Sequence, residues 1–216
     1  MNTEQARFNL VEQQIRTWNV LDTDILDTIA SVPRERFIPP TYQHLAFADT
    51  QIPLSHGQAM ALPREDARML QALELQPTDR VLEIGTGTGY GTALLASLSH
   101  HVYTVELHQD FIDSAEALLS EMGFRNVTFT QGDAAKGWTD HGPFDAIAIS
   151  GAVNNVPDCL FDALKENGRL FAIEGDPTLM TASLYQKQGD NITKRSLFET
   201  RRKYLVGAEQ PATFNF

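Results

Sequence analysis

Apolar positions along this chain change their period near residue 80. Before that point they recur at helical spacing. Phe8, Val11, Ile15 and Trp18 make one stripe, and Ile25, Leu26 and Ile29 make a second that ends before Pro33. Between Val32 and Leu62 the pattern is broken by Pro33, Pro39, Pro40, Pro53 and Gly57, which predicts an extended, looping cover rather than a regular element. A further helix is expected from Pro63, a residue suited to a first helical turn, through Met69, Leu70 and Leu73, ending before Pro77.

After Pro77 short apolar runs alternate with helical stripes. Residues 80–84 (RVLEI), 102–107 (VYTVEL), 127–130, 144–150 (FDAIAIS) and 169–173 read as strands. Between them lie a helix carrying Leu94, Leu95 and Leu98, and one carrying Phe111, Ile112, Ala115, Leu118, Leu119 and Met122 that Gly123 closes. A shorter helix over 158–164, followed by an Asn167-Gly168 turn, leads into the fifth strand. Residues 192–197 and 204–206 fit a closing hairpin or two edge strands. Strands alternating with helices imply right-handed crossovers, so the predicted fold is α/β. It is a Rossmann-like, doubly wound, mostly parallel sheet of about seven strands with an N-terminal helical extension. One domain is expected over 1–216, with 1–62 as the cover and 63–216 as the cofactor-binding core.

Composition narrows the setting. A chain of 216 residues with 42% hydrophobic and 21% charged positions is that of an ordinary globular protein. No apolar run approaches the roughly 18 residues of a membrane helix, and Met1 to Gln5 lacks the basic and then apolar stretches of a secretory signal, so a cytoplasmic location is expected with no membrane partner. The single cysteine, Cys159, excludes an internal disulfide framework and reads as a small apolar residue beside Leu160 and Leu164. A net charge of −11 argues against a nucleic-acid partner, which needs a basic face to displace counterions. Arg201-Arg202-Lys203 is the best basic patch and reads as a solvated strand edge. His100 and His101 have no further ligands at metal-site spacing, so no metal is expected.

The most informative stretch is Glu83-Ile84-Gly85-Thr86-Gly87-Thr88-Gly89-Tyr90-Gly91. It follows a strand and opens a helix, which places it at the ligand-binding end of the sheet. A dinucleotide site wants G-x-G-x-x-G with a pyrophosphate at the helix N-terminus. Here Tyr90 stands where the third glycine should be, and Glu83, beside the loop, would repel a pyrophosphate. S-adenosylmethionine has no phosphate and offers a cationic sulfonium and an ammonium, which suit Glu83 directly or through water. Glu106, about 20 residues beyond the first glycine, can accept both ribose hydroxyls. Asp133, in Gln131-Gly132-Asp133, can accept from an adenine amino group. Three acids at successive strand ends favour the methyl donor as cofactor, with Gly85, Thr86, Gly87, Gly89, Tyr90, Leu107 and Gly132 completing its expected contacts.

At these residues the chain resembles the class I methyltransferases, and more narrowly the protein-L-isoaspartate O-methyltransferases, over nearly its whole length. Ser31-Val32-Pro33-Arg34-Glu35-Arg36-Phe37-Ile38-Pro39 is similar to the family's S-V-P-R-E-x-F-V-P segment, and 52–58 (IPLSHGQ) to its P-L-P-I-G-x-G-Q. Val81 to Tyr90 is close to V-L-E-I-G-T-G-S-G-Y, and Gly132-Asp133 with Gly137-Trp138 to G-D-G-x-x-G-W. The resemblance implies methyl transfer to the carboxylate of L-isoaspartyl residues in damaged proteins, so that a protein or peptide carboxylate is the expected partner. One departure stands out. Where the family reads T-I-S-x-P, this chain has Ala59-Met60-Ala61-Leu62-Pro63, so Ala61 holds the serine position and neither hydroxyl is present.

A carboxylate is ionised at neutral pH with a reference pKa of about 4, so the transfer needs alignment rather than a general base. A lost orienting hydroxyl would weaken it by about 1–3 kcal/mol. His56 is the histidine of the expected active-site cover, and Ser55 is a neighbouring hydroxyl that can stand in for the missing one. Arg64 and Arg68, one turn apart, can hold a substrate carboxylate or pair with Glu65 and solvent on an exposed face. Two alternatives stay open: an O-methyltransferase acting on a different acid, and a cofactor-binding relative without catalysis. Base methylation is disfavoured, because Ser150-Gly151-Ala152-Val153 stands where such enzymes carry (N/D)-P-P-(Y/F).

Overall fold

The computed structural model describes residues 3–209. Met1, Asn2 and 210–216, which fall at the two ends of the expected cover and core, lie outside the described residues.

Seven strands form one sheet: β3 (Arg80–Ile84), β4 (His101–Glu106), β5 (Val127–Gln131), β6 (Phe144–Val153), β7 (Leu164–Asp176), β8 (Leu179–Gln188) and β9 (Asn191–Thr200). Their order is β5-β4-β3-β6-β7-β8-β9. The first five are parallel, and β8 and β9 add an antiparallel meander. The chain runs outward from β3 through β4 to β5, then returns to lay β6 on the other side of β3. This reversal opens a crevice at the carboxyl ends of β3 and β6, where doubly wound sheets bind ligands.

β3 lies in the middle and is buried on both faces, which is why RVLEI is nearly continuous in apolar residues. Its alternate side chains feed two core layers. Val81 joins Ala146, Ala148 and Phe171 under α2 (Thr23–Ser31), α3 (Pro63–Leu73) and α4 (Tyr90–Leu98). Leu82 and Ile84 join Ile147, Ile149 and Leu170, against Leu160 of α6 (Asp158–Asp162). α5 (Gln109–Glu121) connects β4 to β5. Among the described residues no helix is long and apolar enough to cross a membrane.

Three departures from the sequence reading have physical causes. The first helix, α1 (Thr3–Asn9), continues into a wider π-helical stretch over Leu10–Ile15 and a 3₁₀ turn over Arg16–Trp18. The wider turn rotates the stripe, so Leu10, Val11 and Ile15 are buried while Phe8 is 59% exposed. The proline-rich cover is not featureless. It makes 3₁₀ turns over Arg34–Phe37 and Pro40–Leu45, then a two-stranded hairpin of β1 (Ile52–Pro53) and β2 (Ala59–Met60). At the other end of the chain, β8 pairs between β7 and β9, and its mixed composition hid it, since Thr181, Ser183 and Gln186 alternate with Met180, Ala182, Leu184 and Tyr185. Tyr204 makes only an isolated bridge to Ala152 rather than a strand, and the Asn167-Gly168 turn sits inside β7, where the register against β6 jumps.

Gly89 begins α4 with φ +83, and a Cβ there would lie 2.9 Å from the Ala115 Cβ and 3.0 Å from the Leu119 Cδ1 of α5. Both the left-handed backbone and the close helix contact require glycine. Gly89→Ala is expected to cost about 2–5 kcal/mol in urea denaturation, combining left-handed strain with overpacking. A loss below about 0.5 kcal/mol, the level of an ordinary surface change, would refute this packing account.

Candidate active site

The loop after β3 is fixed through its backbone. Gly85 takes φ +96 and donates its N–H to the Val105 carbonyl at 2.8 Å. A side chain there would press on Leu205 and Ser150. Gly87, at φ +51, donates its N–H to Glu106 Oε2 at 3.0 Å. Glu106 Oε1 accepts the His108 N–H at 3.0 Å, so this one carboxylate holds the glycine loop and the start of the next loop together. Each of its oxygens keeps a lone pair for a ligand hydroxyl. Thr86 shares a buried 2.6 Å hydrogen bond with Thr104.

Two compartments meet at this loop. The larger holds about 670 Å³ of space, part of it open to solvent. Its polar side is Glu106, Gly132 and Asp133; its apolar side includes Leu107, Phe111, Ala134 and Leu205. The smaller, about 400 Å³, is lined by Ala59, Ala61, Asp66, Glu83, Thr86 and Tyr90, among others. Gly85, Gly87 and Ser150 border both and form the neck between them.

The acids differ in setting. Asp133 is exposed, with Oδ1 accepting the Ala135 N–H at 3.0 Å. Glu83 is fully buried and accepts from Thr92 at 2.5 Å, Thr104 at 2.8 Å and Ser150 at 3.3 Å. Burial pushes its carboxyl up to about 7, against the pull of those three hydroxyls. Asp66 is also buried, and burial raises it to about 6 although Arg202 and Arg34 draw it down. Glu65 beside it is paired with Arg202 at 2.9 Å and accepts from Thr200.

Several residues expected in the site stand elsewhere. Gly89 lines neither compartment and serves the α4–α5 contact. Arg64 pairs with Asp49 and lies 4.1 Å from the Trp18 ring centroid. Arg68 donates to the Trp18 carbonyl at 2.9 Å and lies over Phe198. Both therefore bind the cover to the core rather than a substrate, and Glu65 turns inward instead of pairing with them. Ser55 and His56 sit on the exposed tip of the β1–β2 hairpin, outside both compartments. His56 Nε2 lies 3.0 Å from both Asp110 oxygens, and its ring stacks on His108 at 3.8 Å. Among the described residues these three bring metal-ligand atoms within 4.8 Å of one another, at the rim. Arg202 is 8% exposed and donates to the Ser150 carbonyl at 2.9 Å, so it departs from the solvated edge expected of the basic run, while Arg201 and Lys203 on either side are exposed.

Sequence reasoning missed Asp66, Arg34, Ser150 and Arg202. Asp66 had a signal: with Met69, Leu70 and Leu73 it falls at i, i+3, i+4 and i+7, on the buried stripe of α3. Arg34 and Arg202 reach the site from far along the chain and leave no local pattern.

A family profile described as Protein-L-isoaspartate(D-aspartate) O-methyltransferase (PCMT) matches residues 5–209. The chain belongs to this family. A protein-L-isoaspartate O-methyltransferase of Koribacter versatilis is 36% identical over 93% of this chain and 90% of its own length. One of Aliivibrio fischeri is 37% identical over 94% and 98%. Among solved structures, a protein-L-isoaspartate O-methyltransferase superposes with a TM-score of 0.79 at 26% identity over 94% of this chain, which spans 66% of that longer one. A Plasmodium falciparum structure described as a putative member in complex with S-adenosyl-L-homocysteine also gives a TM-score of 0.79, at 22% identity over 92% of this chain and 97% of that one, and shows the shared fold.

The Glu83 carboxyl gives a test of its burial. A folded-state value raised from 4.5 to about 7 means the protonated form favours folding, so this contribution is full below 4.5 and is lost as pH rises through about 7. Asp66 acts in the same direction over a lower window. Glu83→Gln keeps the shape without the charge. Melting temperatures from pH 5 to 8 are expected to fall less steeply for this variant than for the parent, and parallel curves would exclude a raised Glu83.

Proposed function

We propose that this protein is an S-adenosylmethionine-dependent O-methyltransferase acting on the carboxylate of L-isoaspartyl residues in proteins or peptides. The observation that carries the reading is the pair of compartments joined at the Gly85–Gly87–Ser150 neck, with Glu106 on one side and Ala61 on the other. Family membership supports the acceptor.

The larger compartment fits the methyl donor. Glu106 has acceptor capacity for the two ribose hydroxyls, Asp133 and the apolar wall of Phe111 and Leu107 suit an adenine, and Gly87 leaves open space in front of its backbone. Glu83 lies behind the neck, enclosed by its hydroxyl partners, and so acts on the donor's cationic end by its field and through Ser150. We assign Glu83, Gly85, Thr86, Gly87, Tyr90, Glu106, Leu107, Gly132 and Asp133 to the cofactor site, with residues up to 62 as the cover and the rest as the core. S-adenosylmethionine supplies a methyl group on a positively charged sulfur. When bound, it would pass that methyl group to an acceptor carboxylate oxygen, giving a methyl ester with the neutral thioether as leaving group. This chain aligns the oxygen and excludes water. The ester of an isoaspartyl residue can then close to a succinimide, which makes the activity a repair step. A cytoplasmic setting fits the single cysteine, and the net charge of −11 fits a partner other than nucleic acid.

A different carboxylate acceptor is the second reading, favoured by the absence of a hydroxyl at Ala59 and Ala61. Labelled S-adenosylmethionine with matched isoaspartyl and aspartyl peptides separates the two. Label is expected on the isoaspartyl peptide alone; label on neither, with cofactor binding shown by calorimetry, would reject that acceptor. Glu106→Ala is expected to raise the cofactor Kd by about 10–100-fold, since hydrogen bonds to a charged group contribute about 1.5–3 kcal/mol. An unchanged Kd would remove Glu106 from the cofactor site.

A further inference from the structure

The acceptor compartment contains a carboxyl group for which the transfer, as described, has no use. Asp66 is 7% exposed, lines that compartment together with Ala59 and Ala61, and among the described residues it accepts no hydrogen bond. Its nearest cations stand off. Arg34 Nη1 is 3.7 Å from Oδ2, and Arg202 Nη2 is 3.9 Å from Oδ1. Each guanidinium is anchored elsewhere: Arg34 Nη2 donates to the Ala61 carbonyl at 2.9 Å, and Arg202 donates through Nη1 to the Ser150 carbonyl at 2.9 Å and through Nη2 to Glu65, while Arg34 Nη1, which faces Asp66, makes no hydrogen bond among the described residues. A buried carboxylate in this position has lost water and gained only two long ion-pair contacts, and burial outweighs them in favour of the neutral form.

The groups facing Asp66 can be named from each element packed against it. Glu65 is its neighbour on α3, Arg34 comes from the cover and Arg202 from the segment after β9. Glu83 comes from β3 and the Tyr90 phenol from α4. Setting Glu83 aside with its three hydroxyls, the cluster holds two guanidiniums against two carboxylates and is balanced. An anionic acceptor entering this enclosed space adds a third negative charge. A proton taken up by Asp66 restores the balance and turns its carboxyl into a donor aimed at the acceptor. The wall at 59–61 offers no hydroxyl for that purpose, and the hydroxyls of Ser150 and Thr86 are engaged with Glu83 and Thr104, which leaves Thr88 and Tyr90 as the other hydroxyls lining the compartment.

We propose that Asp66 is an acceptor-binding residue that takes up a proton when a carboxylate acceptor binds and donates a hydrogen bond to it. The inference rests on the methyl-transfer reading above and adds a specificity element to the same site. It also predicts what the site rejects: a cationic amine acceptor requires Asp66 ionised and reverses the pH dependence.

The test is the pH profile of kcat/KM for an isoaspartyl peptide, for the parent protein and for Asp66→Asn, whose amide keeps a donor and cannot titrate. With Asp66 near 6 in the free protein, the parent's kcat/KM divided by that of Asp66→Asn is expected to fall about fiftyfold between pH 6 and pH 8, carried by KM. Taking the ratio cancels the titration of Glu83 and of the cofactor. Calorimetry of peptide binding at pH 7 in two buffers of different ionisation enthalpy is expected to show close to one more proton taken up by the parent than by the variant. Cofactor Kd and melting temperature, measured alongside, show that the variant folds. A ratio that stays flat while the isoaspartyl peptide is methylated overturns this proposal and leaves the function standing. A ratio that rises with pH assigns Asp66 to a cationic acceptor instead and overturns it too. No methylation of the peptide at any pH, with cofactor still bound, overturns both.

Discussion

Four carboxylates are buried at the carboxyl end of this sheet; Glu106 is met by backbone N–H groups, and much of the structure around the site is arranged to tolerate the other three, Glu65, Asp66 and Glu83. An unpaired buried charge costs several kcal/mol, so each needs a neutralising device. Glu65 has Arg202 and the Thr200 hydroxyl. Glu83 has three hydroxyls and a carboxyl raised to about 7. Asp66 has two arginines within 4 Å and no hydrogen bond. Because Arg34 comes from the cover and Arg202 from beyond the last strand, neutralising the acids also ties both ends of the chain to α3. The same guanidiniums hold the Ala61 and Ser150 carbonyls, so the electrostatic solution and the shape of the compartment are one arrangement.

The glycine loop is a second constraint, and its glycines do separate work. Gly85 keeps space between the end of β3 and the chain around Ser150 and Leu205. Gly87 lets the backbone turn its N–H onto Glu106, which then also holds His108. Gly89 lets α4 approach α5. Of these three, Gly85 and Gly87 face ligand space and Gly89 does not. A glycine repeat in a sequence therefore mixes binding with packing, and the neighbours of each position decide which applies.

The alternation of strands and helices after residue 80 was legible because the inner parallel strands β3, β4 and β6 carry compact, largely buried apolar runs. Glu106 and the Gly85–Gly87 loop were legible for a related reason: a strand end followed by a turn puts short-range motif and ligand geometry in the same few residues. β8 was not, because Thr181, Ser183 and Gln186 interrupt its apolar positions and make it resemble a polar linker, although Ser183 is buried in the sheet. Phe8 was misplaced by a π-helical stretch that no periodicity of 3.6 anticipates. Arg64 and Arg68 had suitable chemistry at a suitable spacing, but Trp18 and Asp49, some 50 and 15 positions earlier, decide where they point. Arg202 looked like a solvated edge because its partner, Glu65, is 137 residues away.

This contrast bears on how the two halves of the site relate. The polar side of the donor half comes from short segments at the ends of three adjacent parallel strands, so its geometry follows from the sheet, while Leu54 and Leu205 close it from the cover and from beyond β9. The acceptor half is lined by Ala61, Asp66 and Ser150, with Arg34 and Arg202 reaching Asp66 from the cover and from beyond β9, all brought together by tertiary packing. Changes in its polar groups leave the sheet and the glycine loop untouched, provided that buried charge stays balanced. Loss of hydroxyls at 59 and 61 is neutral in charge and small in volume, and it is compatible with an unchanged donor half. An acid on the buried stripe of α3 is not neutral, and it is sustainable here because two arginines already face it. The acceptor half can thus be altered where the charges permit, while the donor half stays fixed by backbone, and the chemistry of the acceptor is set by how the Asp66 carboxyl is neutralised.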